Sequence, residues 1–158
     1  MKKNLLVISI ALSASMIVFL FPAIPQDQKY HQFADQRTLL GIPNFWNVIS
    51  NLPFVIAGLI GLVPLLKKAS LTLARGLYWA YVLFFAGTLL VGFGSGFYHL
   101  DPSDTSLVWD RLPMTVAFMS FFAVIIGERI SVPAARRLLS PMLAVGIFSV
   151  GYWYWTEQ

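Results

Sequence analysis

Ser95 and His99 stand four residues apart, a spacing that stacks two side chains on one face of a helix, and Asp110 lies eleven residues past the histidine. A hydroxyl, an imidazole and a carboxylate are parts of hydrolytic chemistry. They suit either a serine nucleophile with its base or a metal site in which imidazole is a ligand and the carboxylate a base. The nucleophile-elbow pattern Gly-x-Ser-x-Gly is absent, because Phe93 and Phe97 occupy both glycine positions. Zinc suits His99 better, although catalytic zinc commonly takes three protein ligands. The second histidine, His31, sits in a polar loop with no partner four residues on. A bland reading stands beside these, since Ser and His in a membrane helix also serve as hydrogen-bonding glue between helices. The cost of placing an ionisable group in a span, about 2.5 to 3.5 kcal/mol, favours a functional role.

The elements that must hold these residues are membrane helices. The 158-residue chain is 58 % hydrophobic and 11 % charged, with a mean hydropathy of +0.72, more apolar than a water-soluble core of this length could conceal. An all-α, polytopic transmembrane bundle with five spans is predicted. Its first span is Leu5 to Ala23, behind Lys2 and Lys3. A signal peptide begins the same way, but this run approaches the ~20 residues of a full span and Phe-Pro-Ala-Ile-Pro-Gln offers no small-x-small cleavage site. Residues 1–24 are therefore read as a signal-anchor helix and 25–158 as one membrane domain. Gln26 to Asn44 reads as an extramembrane loop, and further spans are predicted at about Phe45–Leu66, Leu77–Leu100, Leu112–Gly127 and Leu138–Trp155. Asp101 to Asp110 reads as an acidic turn. Asn44, Asn47, Ser50 and Asn51 fall on one helical face, as do Thr88, Gly92, Ser95 and His99. Both stripes are expected to turn from lipid toward the bundle interior, and Gly58 and Gly61 to permit close helix contact.

Basic residues mark alternate ends of the spans: Lys2/Lys3, then Lys67/Lys68/Arg75, then Arg129/Arg136/Arg137. The positive-inside tendency places these ends, and the N-terminus, in the cytoplasm. The two polar loops then face the periplasm or lumen, and a bacterial inner membrane is the expected location. The net charge of +4 reflects this asymmetry; without a Lys/Arg run it implies no nucleic-acid partner. With no cysteine, disulfides and thiolate chemistry are excluded.

Gly94-Ser95-Gly96-Phe97-Tyr98-His99, then Asp110-Arg111-Leu112-Pro113-Met114, resembles the alkaline ceramidase family, within the CREST superfamily of membrane hydrolases that includes adiponectin-receptor-like proteins. Phe45-Trp46-Asn47-Val48-Ile49-Ser50-Asn51 resembles that family's Phe-Trp-Asn-x-x-Ser-Asn. The resemblance implies a zinc-dependent amidase that hydrolyses ceramide, or a related lipid amide, to a long-chain base and a fatty acid. It implies that His99 is one of three zinc-binding histidines, that Ser95 stabilises the oxyanion and that Asp110 orients or deprotonates the attacking water. It also implies a seven-helix core, of which this chain carries the first four helices, and a His-x-x-x-His on the last helix that this sequence lacks. The chain is thus expected to be part of a longer protein or a truncated product. Asp35 and Asn44 are the nearest counterparts of the family's calcium-binding residues. A non-catalytic lipid-binding or receptor-like protein of the same superfamily is the alternative.

Overall fold

The computed structural model describes residues 25–67 and 76–156, with Ser13 alone before them. The expected first helix and the basic residues Lys2, Lys3, Lys68 and Arg75 lie outside that range. Among the described residues the chain is helical: α1 (Phe45–Ile49), α2 (Leu52–Leu66), α3 (Tyr78–Leu100), α4 (Asp104–Arg129) and α5 (Val132–Thr156), preceded by a 3-10 turn at Gln28–His31. Four stretches are long and apolar enough to cross a membrane: Phe45–Leu66, Tyr78–Leu100, Asp104–Arg129 and Val132–Thr156. The remaining expected span, Leu5 to Ala23, is the one outside the described residues.

Helix α3 is central, packing on α2 along one side and on α4 along the other, while α5 packs on α4. Small residues set these distances. A Cβ on Gly58 would lie 2.6 Å from the Leu89 backbone, and one on Gly61 would meet the Phe85 ring, so both expected close contacts are present. Outward faces are apolar: Ile60, Phe93, Phe118 and Phe148 are each more than half exposed, as suits helices whose solvent is hydrocarbon.

Three boundaries differ from the sequence reading, each for a local reason. The Phe45–Leu66 segment is broken at Ser50–Asn51. Pro53 has no N–H to offer the Ile49 carbonyl, and the chain tightens there through Asn51 N to Val48 O and Phe54 N to Asn51 O bonds. The break also exposes Ser50, whose hydroxyl donates to the Asn47 carbonyl, so the predicted stripe does not turn inward as a whole. Helix α4 starts at Asp104 rather than near Leu112, so most of the supposed acidic turn is helical. Ser103 and Ser106 form a capping box that satisfies the first free amides. Helix α5 starts at Val132 rather than Leu138, and Arg136 and Arg137 belong to its first turns; Ser131 Oγ accepts from Ala134 N at 3.4 Å.

Candidate active site

The polar cluster forms where α3 and α4 approach most closely. Pro113 leaves the Trp109 carbonyl without its helical donor. That oxygen turns toward Gly94, where any Cβ would collide with it, and the Pro113 ring lies 3.3 Å from the same point. The next residue on each helix is a site residue: Ser95 follows Gly94 and Asp110 follows Trp109. One glycine and one proline thus draw the helices together where chemistry needs it. Ser95 is buried at 8 % exposure, and the Asp110 carboxyl lies close to the Ser95 hydroxyl and near enough to His99 to interact with it electrostatically. The structure therefore brings together Ser95, His99 and Asp110.

His99 is held from above by the polar loop. Asn44 donates its amide N–H to the His99 carbonyl at 2.9 Å, and the Phe33 ring lies 4.6 Å from the imidazole, centroid to centroid. Asn44 adopts the left-handed conformation (φ 47°, ψ 42°), which Asn tolerates better than most residues. With its backbone bonded and its ring covered, His99 keeps its imidazole uncommitted: Nδ1 is buried and has no hydrogen-bond partner among the described residues.

His31 has a different role. Its Nδ1 pairs with the Tyr98 hydroxyl at 2.9 Å and its Nε2 with Asp104 Oδ1 at 3.0 Å. Gln28 donates to the other Asp104 oxygen at 2.7 Å. Arg111 donates to Gln26 Oε1 at 2.7 Å and lies 4.0 Å over the Trp153 ring. These contacts pin the loop to α3 and α4 and tie α4 to the end of α5. Sequence reasoning missed Tyr98, Asp104 and this use of His31, because the partners lie 67 and 73 residues from the histidine.

The residues considered for calcium are engaged by protein groups. Asp35 Oδ1 accepts from the Arg37 guanidinium and Oδ2 from Trp46 N–H at 3.3 Å. The hydrogen bond from Arg37 is the largest cause that holds the Asp35 carboxyl below its ordinary range. Asn44 gives its amide nitrogen to the His99 carbonyl, which leaves its side-chain oxygen, the atom a calcium ion would take, uncommitted by that bond. Three or more His, Cys, Asp or Glu side chains do not gather as a metal cluster among the described residues. For zinc the described residues offer one uncommitted imidazole, His99, beside one carboxylate, which fits part of a site.

Four apolar spans packed side by side, with a Ser/His/Asp cluster between the middle two, describe a helix bundle suited to a membrane. Residues 39–158 match the family model described as Ceramidase, and the chain belongs to that family. Membership carries a ceramidase-like hydrolase in a membrane, with a lipid as the class of substrate. Comparison with curated proteins and with solved structures returns no match.

Proposed function

We propose that this protein is a zinc-dependent membrane amidase that hydrolyses ceramide or a related lipid amide, and that His99 is the zinc ligand this chain contributes. The observation that carries the proposal is the His99 Nδ1 atom, buried and without a partner beside Asp110 and Ser95. A buried polar atom left unpaired costs roughly 1 to 3 kcal/mol unless something binds it. When bound, zinc polarises an amide carbonyl and makes water a nucleophile near neutral pH.

The chain's own residues supply the rest. A ligand Nδ1 requires the neutral His99 tautomer with its proton on Nε2. Asp110 takes a proton from the attacking water and returns it to the amine as the C–N bond breaks. The Ser95 hydroxyl donates to the oxygen that becomes negative when water adds to the carbonyl. Phe33 covers the imidazole, and the apolar flanks admit the lipid from the side. The polar loops would then lie on the periplasmic or lumenal side, because basic residues gather at the opposite end.

The test is the zinc content and ceramide hydrolysis of the membrane-purified protein, with and without His99→Ala. Stoichiometric zinc that disappears in the variant, with hydrolysis falling at least about a hundredfold, is the expected result. Metal content or hydrolysis unchanged in His99→Ala overturns it. The non-catalytic lipid-binding reading is favoured by one observation: His31 is committed elsewhere, which leaves a single free imidazole. Lipid binding without zinc and without turnover would establish it.

A further inference from the structure

The bundle end opposite the polar cluster carries uncompensated positive charge. Lys67, Arg129, Arg136 and Arg137 lie there, and the sequence adds Lys68 and Arg75 in the same connection between α2 and α3. Of the chain's seven acidic residues, Asp27, Asp35, Asp101, Asp104 and Asp110 belong to the other end, and Glu157 directly follows α5. Only Glu128 is near, and its carboxylate accepts from the Tyr81 hydroxyl. Residues 1–24 and 68–75 contain no Asp or Glu. Among the described residues, none of these four cations forms a salt bridge.

At this end a groove of about 340 Å³ opens between α3 and α5. Gly76, Trp79 and Leu83 line one wall; Arg136, Ser140 and Leu143 line the other. Both helices leave this end in the same direction. The walls from Gly76 to Leu83 and from Arg136 to Leu143 each span seven residues, about 10 Å at 1.5 Å per residue. The mouth is polar and the depth apolar. Trp79 is 66 % exposed at the mouth, where an indole suits the boundary between headgroups and hydrocarbon. Gly76 has φ +99°, and a Cβ on it would lie 3.1 Å from Arg136 Cδ. The arginine stem thus rests across a residue with no side chain, at the rim of the groove.

The geometry points to a binding site for one anionic phospholipid, its phosphate on the Arg136 guanidinium and Ser140 hydroxyl and the start of an acyl chain along Leu83 and Leu143. A guanidinium fork matches phosphate oxygens, and basic clefts between spans are suited to acidic headgroups. A zwitterionic headgroup finds no carboxylate among the residues lining the groove for its ammonium. A soluble anion would gain nothing from apolar walls about 10 Å deep. The site is separate from the Ser95–His99–Asp110 cluster and stands whether or not that cluster is catalytic.

Native mass spectrometry of the intact protein, released from bilayers of mixed phosphatidylglycerol and phosphatidylcholine, tests it. The expected result is one retained phosphatidylglycerol per chain, in preference to phosphatidylcholine. Arg136→Gln should weaken that retention roughly fivefold, the share of one surface cation, while Arg137→Gln and Lys67→Gln leave it nearly unchanged. Leu143→Trp, which fills the groove and keeps every charge, should also reduce it, with helical content checked by circular dichroism. Equal losses for all three charge variants would mean diffuse attraction and overturn the site. So would indifference between the two lipids, or displacement of the bound lipid by millimolar inorganic phosphate.

Discussion

Gly94 is the smallest residue near the cluster and one of the most constrained. Its missing side chain admits the Trp109 carbonyl that Pro113 leaves free. Gly94→Ala should push α3 from α4 and cost about 1 to 3 kcal/mol, seen as a lower melting temperature in detergent together with lost amidase activity. Pro113→Ala gives that carbonyl a helical donor and should be milder in stability than in activity. Asp35 gives a pH dependence. Its folded pKa lies below the ordinary 3.8, chiefly through Arg37. The stability it contributes is therefore complete above the unfolded carboxylate pKa and is lost as the pH falls through the lower folded value. Asp35→Asn should flatten this acid limb, measured as melting temperature between about pH 5 and pH 2. At this scale the sequence was partly legible. Ser95 and His99 could be paired because helical spacing is a local property, and the resemblance added a role for Asp110. His31 and Asn44 could not be assigned, because their partners come from helices 55 to 73 residues away.

Among the elements, apolar runs were legible and their ends were not. A bilayer demands about 20 apolar residues, so hydropathy located the four spans among the described residues. Helix ends are settled instead by a few hydrogen bonds. Two turns of α4 carry Asp104, Ser106, Asp110 and Arg111, and so resemble a loop until the Ser103–Ser106 capping box is seen. Ser103→Ala should cost about 0.5 to 2 kcal/mol and loosen the first turn, which holds Asp104 against His31. His31→Ala removes the same connection from the loop side. It should lower thermal stability by roughly 1 to 3 kcal/mol and leave zinc content unchanged, which separates a clasp from a ligand.

For the whole molecule, charge and greasiness carry the message. Five carboxylates stand at or near the loop end, and the basic residues crowd the other end. The proposed orientation can be read with single cysteines, because the native chain has none. Gln36→Cys in intact cells should react with a membrane-impermeant maleimide, and Lys67→Cys should react only after the membrane is opened. The reverse pattern would invert the topology. Membrane residence and the all-helical class were evident from composition. The arrangement of helices was not, because it depends on close approaches such as Gly58 to Leu89 that join distant parts of the chain.

The Phe33 ring over His99 has a consequence for traffic. The loop that carries it is fastened at Gln26, Gln28, His31 and Asn44 to helices on both sides of the cluster. On the function proposed, the lipid amide enters along the plane of the bilayer, between helices, rather than past this roof from bulk water. Its solubility in water is then irrelevant to how fast it arrives. Lateral diffusion in the lipid sets that pace, so activity should follow the mole fraction of substrate in the bilayer rather than its concentration in the tube.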